Sequence, residues 1–316
     1  MLFSFLKFPA RLAIKLYCRS IRINHPEILD KKGPLLIAAN HPNSFLDAVI
    51  LATLFQQPIY SLARGDVFKG GTISRLLYGM NILPVYRISE GAQNLNSNYD
   101  TFSKCREIFR KNGIVLIFSE GLCVNEWKLR ALKKGTARLA LESWNEGINL
   151  KILPCGLNYH SFLSFGKHVH INFGNIFSKE DIDNTDNSGL FIKSFNEKLR
   201  QELLPLVDHF DKNDHEAIAN KYVQKKPSGL FFALPAFFGK WIHAPLYLPV
   251  KNISLKKAAP FCHHDSVVVG LLFLLYPIYL SIIAGFVFAF AGAWYWLLPF
   301  TIMPVLAWTF VQYKKG

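Results

Sequence analysis

The chain has 316 residues, with 36 Lys and Arg against 22 Asp and Glu for a formal net charge of +14, yet 51% of it is apolar and its mean hydropathy is +0.18. A basic chain this apolar suits an anionic lipid surface and sets aside nucleic acid as its partner. Five cysteines, scattered without a C-x-x-C pair, set aside a disulfide framework and fit reduced thiols facing a cytosol.

At the amino end Lys7, Arg11, Lys15 and Arg19 recur every four residues, with Arg22 three further on and Leu6, Phe8, Leu12, Ile14, Leu16 and Tyr17 between them. The pattern predicts a basic amphipathic helix within residues 1–29, lying on a membrane surface. A core helix with a solvated basic face is the alternative. Charges recur through the apolar part, so it does not read as a secretory signal.

A buried strand, Pro34 to Ala39, then runs into Asn40-His41-Pro42-Asn43-Ser44-Phe45-Leu46-Asp47. Pro42 cannot continue a ladder, so the chain turns there, and the apolar run Phe45–Phe55 reads as a helix. An imidazole at the strand end and a carboxylate one turn into the helix make a base-and-orienter pair. On one continuous helix six residues would leave the two side chains roughly 120° apart, so they face each other only across a non-helical turn. The competing reading is a capping box, with Ser44 as cap and Asp47 completing it.

Further on, Asn81 to Arg87 reads as a strand ending in a cation, and Tyr99–Lys111 as a helix closed by Asn112-Gly113. Ile114 to Phe118 is a β-branched strand ending at Ser119-Glu120-Gly121, and Ile152 to Gly156 is a strand containing a proline. Strands alternating with helices predict an α/β fold: a mainly parallel sheet flanked by helices, with His41 and Glu120 at its carboxyl edge.

Beyond an acidic loop at Asp181 to Asp186, helices are expected near Phe191–Leu204 and Asp214–Val223. Residues 228 to 250, broken by Pro235, Pro245 and Pro249, read as an interfacial or re-entrant segment. From Ser266 to Tyr313 there is no charged residue and no histidine. That 48-residue run would extend about 72 Å as one helix, against a hydrocarbon core of about 30 Å. It therefore predicts a transmembrane hairpin, Ser266–Phe288 and Trp294–Tyr313, bent at Gly292-Ala293 with aromatics at the interface. Lys256 and Lys257 before it, and Lys314 and Lys315 after it, place both ends and the catalytic domain on the cytoplasmic side. Cys262-His263-His264-Asp265 lacks i, i+4 ligand spacing, and no metal site is expected there.

These motifs, in this order, resemble those of the glycerolipid acyltransferase superfamily. Its histidine–aspartate motif is matched by Asn40, His41, Ser44 and Asp47. Its strand ending in arginine is matched by Ile82, Pro84, Val85 and Arg87, its F-P-E-G motif by Phe118, Glu120 and Gly121, and its proline-bearing strand by Ile152, Leu153 and Pro154. The His–Asp spacing is one residue longer than the common form and is like that of some members. Ser119 replaces the usual proline, and Leu122-Cys123 stand where Thr-Arg is common.

The resemblance covers roughly residues 30 to 210. It implies a membrane-bound enzyme that moves a fatty acyl group from acyl-coenzyme A or acyl carrier protein to a hydroxyl of a lysophospholipid or glycerol-phosphate acceptor, first among them 1-acyl-glycerol 3-phosphate. In that role His41 and Asp47 are catalytic, while Ser44, Arg87, Glu120 and Gly121 bind substrate, Arg87 at a phosphate, without cofactor or metal. Arg64, Arg130 and Lys134 are the cations placed to compensate for the missing arginine. Glycerol 3-phosphate, a lyso-lipid lacking phosphate, or a catalytically silent lipid-binding protein are the alternatives. The expected organisation is a surface helix at 1–29, a catalytic domain at 30–210, a connector at 211–265 and the hairpin at 266–316. No G-x-S-x-G elbow is present, which sets aside a serine hydrolase.

Overall fold

A period of two in the central strands divides the core in two. In a computed structural model, which describes residues 2–86, 94–183, 187–222, 230–291 and 294–313, Leu35, Ile37 and Ala39 face one hydrophobic cluster. Leu36 and Ala38 face the other, as the pleat requires of a strand buried on both sides. The strands are β1 (Cys18–Ile23), β2 (Leu35–Ala39), β3 (Ile59–Arg64), β4 (Ile82–Val85), β5 (Ile114–Phe118), β6 (Lys151–Tyr159) and β7 (Lys167–Phe173). They form one sheet in the order β1-β7-β6-β2-β5-β3-β4. Every pairing is parallel except β6 with β7.

The helices are α1 (Leu2–Tyr17), α2 (Phe45–Leu54), α3 (Gly71–Gly79), α4 (Asn94–Arg110), α5 (Lys134–Asn145), α6 (Ser188–Leu203), α7 (His215–Tyr222), α8 (Leu230–Lys257), α9 (His264–Ala291) and α10 (Leu298–Tyr313). Side chains of α1, α2 and α9 join the first cluster, and those of α4, α5 and α6 the second. The expected mainly parallel α/β sheet is therefore present. Central β2 is flanked by β5 and β6, the kind of crossover point whose carboxyl edge opens a crevice.

The amino-terminal helix is shorter than its charge pattern suggests. It ends at Tyr17, and Arg19 and Arg22 lie on edge strand β1. The helix also has two apolar faces: Ile14 and Tyr17 are buried against the domain, whereas Phe5 and Phe8 are each 77% exposed. Lys7 Nζ reaches the carbonyl of Gln56 at 3.0 Å, just past the end of α2, where a cation meets the negative end of the helix.

Residues 230–257 are one helix despite three internal prolines, where the proline spacing suggested a broken segment. Packing against α10 compensates. A Cβ on Gly239 would stand 2.2 Å from the Leu306 carbonyl oxygen, so the two backbones cross there, the close approach that small residues permit. Tyr279 donates to the Ile242 carbonyl at 2.7 Å, linking α9 to the same helix.

Helix α9 and the stretch Tyr295–Tyr313 are long and apolar enough to cross a membrane, and only 17% and 22% of their most apolar windows are buried. Phe286 and Phe290 project outward. In water each such side chain would forgo about 1.5–3 kcal/mol of burial. The expected bend at Gly292-Ala293, and Lys314 and Lys315, lie outside the described residues.

Candidate active site

Ser44 adopts φ 53° and ψ −139°, left-handed backbone in a residue that is not glycine, and its side chain makes no capping bond. The capping box therefore does not form. The turn aims Asp47 back at the imidazole instead. His41 Nδ1 and Asp47 Oδ2 lie 2.9 Å apart, and the same oxygen accepts from the Asn43 amide at 2.8 Å. Tyr159 donates to Asp47 Oδ1 at 2.6 Å. With Nδ1 donating to the carboxylate, Nε2 is left unprotonated as the potential base. Asp47 is fully buried, while 19% of the His41 side chain is exposed.

Neighbouring strands fix the ring. The imidazole stacks on Phe118 with centroids 3.8 Å apart and planes 13° off parallel. Asn40 ties the chain entering the turn to β6: its amide donates to the Leu157 carbonyl at 3.0 Å and its oxygen accepts from the Leu157 amide at 2.7 Å. Burial and the nearby Asp47 carboxylate push the Tyr159 phenol well above its ordinary range, so it remains a donor.

Glu120 clamps this turn to the loop after β5. Its Oε2 accepts from the His41 amide at 3.1 Å and its Oε1 from the Arg130 amide at 2.9 Å. Gly121 follows at φ 66°, a left-handed turn position that glycine takes without strain. Ser119 donates its amide to the Ala39 carbonyl at 2.9 Å, a bond that the proline usual in the motif would lack.

Burial pushes the Glu120 carboxyl up, partly offset by the Arg130 and His41 amides. A carboxyl raised by folding contributes stability that is full below its unfolded pKa, about 4.3, and is lost as the pH rises through the raised value. Glu120→Gln cannot titrate. The wild-type melting temperature, taken relative to that variant's in the same detergent, is therefore expected to fall as the pH rises above about 4. Parallel curves would contradict this.

The Asn43 and Ser44 amides, candidates for an oxyanion hole, are both engaged: the first by Asp47, the second by Cys123 Sγ at 3.0 Å. A thiol is a weak acceptor, so the Ser44 amide is the easier to redirect. Burial, with Asp47 nearby, pushes the Cys123 thiol up, away from the thiolate form.

Arg130 Nη1 pairs with Glu126, and Arg64 Nη2 with Asp66. Arg87 lies outside the described residues. Below the turn is an apolar cavity of about 150 Å³, lined by Leu6 and Ala10 of α1, Phe45 and Val49 of α2, Ile82 of β4 and Phe273 of α9. Among the described residues, no group of three or more His, Cys, Asp or Glu side chains is gathered to hold a metal ion.

Sequence reasoning missed the start of α9. His263 Nδ1 is 2.6 Å from Ser44 Oγ, and Asn43 Nδ2 donates to Asp265 Oδ2 at 2.7 Å. Burial, with His41 and Arg64 nearby, pushes the His263 imidazole down toward its neutral form.

Among solved structures the chain is similar to the 1-acyl-sn-glycerophosphate (LPA) acyltransferase PlsC from Thermotoga maritima. It is 10% identical, aligns over 71% of this chain and 81% of its own, and has a TM-score of 0.48. No curated protein matches the chain. The family model described as Acyltransferase matches residues 20–158, which contain His41, Asp47, Glu120 and the first six strands apart from the first residues of β1 and the last of β6. Residues 20–158 are thus similar to the acyltransferase family.

Proposed function

We propose that this chain is a membrane-bound O-acyltransferase that moves a fatty acyl group from a thioester donor to a hydroxyl of a lysophospholipid or glycerol-phosphate acceptor, 1-acyl-glycerol 3-phosphate first. The observation that carries the reading is the His41–Asp47 pair, held at the carboxyl edge of the sheet above an apolar cavity. His41 Nε2 takes the acceptor's hydroxyl proton as that oxygen attacks the thioester carbonyl. The C–O bond forms, the C–S bond breaks, and the departing thiolate takes the proton from the imidazolium. Asp47 holds the ring tautomer and stabilises the positive charge that develops on it. The Ser44 amide, released from the Cys123 thiol, meets the developing oxyanion.

The acyl chain lies in the cavity between α1, α2 and α9. The hairpin of α9 and α10 spans the bilayer, and α1 rests on its surface with Phe5 and Phe8 inserted. Lys256 and Lys257, before α9, favour a cytoplasmic catalytic side. Residues 30–210 then form the catalytic unit, 211–265 the connector and 266–316 the anchor. Glu120 serves this site first through the protein, by fixing the His41 turn; its remaining lone pairs face the acceptor's polar head. Ser44 and Gly121 border that head, and Arg87, with Arg64 near His263, takes its phosphate.

One departure favours a second reading. Leu122 and Cys123 supply no cation where the family commonly has arginine, which suits an acceptor without phosphate. Purified full-length protein in liposomes, given labelled acyl-coenzyme A or acyl-acyl carrier protein and a panel of lyso-lipids with and without phosphate, tests both. Product confined to phosphorylated acceptors supports the first reading. Product confined to the others replaces the substrate and keeps the chemistry. No product from any pairing, with folded protein, favours a silent lipid-binding role.

A further inference from the structure

We infer that the first turn of the transmembrane hairpin belongs to the catalytic machinery, with Asp265 as a positioning residue that holds Asn43 and, through it, the Asp47 carboxylate. The inference rests on the acyltransferase reading of the site and adds to it a residue from outside the matched family segment.

Three links join the catalytic turn to the start of α9. Asn43 Nδ2 donates to Asp265 Oδ2 at 2.7 Å, Ser44 Oγ meets His263 Nδ1 at 2.6 Å, and the Leu46 amide donates to Ser266 Oγ at 3.2 Å. They bracket Ser44, whose left-handed backbone persists only where its surroundings over-determine it. The Asn43 amide gives its hydrogen to Asp47 Oδ2, the oxygen that faces His41. Any shift of Asn43 is thereby passed to the imidazole.

Asp265 is itself fixed. It is fully buried, pairs with the equally buried Lys167 at the start of β7, and accepts from Tyr17 at 2.6 Å. The Lys167 ammonium lies 5.8 Å from the Tyr17 ring centre and 5.9 Å from that of Tyr159. Tyr159 in turn donates to Asp47. The arrangement is a closed ring, Asp47–Asn43–Asp265–Lys167–Tyr159, with contributions from α2, α9, β6 and β7.

A buried ion pair kept only for stability is replaceable by apolar residues of similar volume at little cost or with a gain, whereas removal of one partner destabilises strongly. That difference separates positioning from mere structure. Two full-length variants are compared in liposomes, with kcat normalised to monodisperse folded protein: Asp265→Ala, which removes the acceptor of the Asn43 side-chain amide, and the combined Tyr17→Phe/Lys167→Met/Asp265→Leu, which removes that acceptor together with the ion pair and the tyrosine hydroxyl. For both, kcat is expected to fall about 30–100-fold, since a misplacement of about 1 Å costs on the order of 10²-fold, and KM to stay within about twofold. The combined variant, which strands the Asn43 amide but no charge, is expected to melt above Asp265→Ala, which also leaves the Lys167 ammonium unpaired, while remaining as slow.

A combined variant that regains wild-type kcat along with its melting temperature would overturn the inference. So would Asp265→Ala with unchanged kcat, or a loss carried wholly by KM. His41→Ala is run alongside: if it keeps full activity while the Asp265 variants lose theirs, the base assignment fails rather than the anchor.

Discussion

His41→Ala is expected to lower kcat for acyl transfer by about 10²–10⁴-fold, the range that a positioned general base contributes. The side chain is partly exposed, and its ring stacks on Phe118 without being enclosed. Asp47 keeps its bonds from Asn43 and Tyr159 when the ring is gone. The melting temperature should therefore stay within about 4 °C of wild type, equivalent to a loss of no more than about 1–2 kcal/mol. Steady-state rates in liposomes together with thermal unfolding check both halves. A variant that loses activity only by unfolding would leave the base unassigned, and one that keeps its rate would remove His41 from the chemistry.

Asp47 gives the second large effect, and the choice of substitution decides what it reports. Asp47→Ala strands three donors, the partly exposed imidazole and the buried Asn43 amide and Tyr159 hydroxyl. Each such loss costs about 1–3 kcal/mol, so the rate would be confounded with stability. Asp47→Asn is cleaner. Its oxygen takes the place of Oδ2 toward His41 and Asn43, and its amide turns to Tyr159, whose hydroxyl accepts as readily as it donates. Geometry and tautomer survive and only the charge is lost. Charge-assisted bonds exceed neutral ones by about 1–2 kcal/mol, so kcat is expected to fall about 10–10²-fold with little change in melting temperature. Adding Tyr159→Phe to Asp47→Asn leaves that amide without an acceptor, and the double variant should melt lower than either single one.

These expectations begin from a turn that the sequence made legible. Pro42 excludes both ladder and helix, so His41 and Asp47, awkwardly spaced for a continuous helix, had to meet across a turn. Strands β2, β4, β5 and β6 were readable as short apolar runs bounded by turn residues, and α4 by its Asn112-Gly113 stop. Strand β1 was hidden because Arg19 and Arg22 extend the helical charge spacing of the residues before them, although the backbone there pairs with β7. Strand β7, Lys167 to Phe173, does alternate in apolar character, and the period of two was present to be read.

The start of α9 was beyond local reasoning. Asn43 and Asp265 are 222 residues apart in sequence, and neither segment carries a signal naming the other. The charged cluster before an apolar span has an ordinary reading as a membrane-boundary motif, and only the packing of α9 on α1 and α2 brings it to the turn that carries His41. The same separation explains why Lys167, an isolated cation in a strand, revealed nothing until Asp265 was beside it.

The most direct test of the central claim, one-step transfer assisted by His41, is an acid-quench experiment. Full-length protein in liposomes is mixed with labelled acyl thioester, first alone and then with lyso-lipid, and label is followed on protein and on lipid. No covalently bound label is expected without acceptor, and labelled lipid product is expected once acceptor is added. Label accumulating on the protein, at Cys123 or Ser44 beside the imidazole, and then passing to the lipid would contradict it.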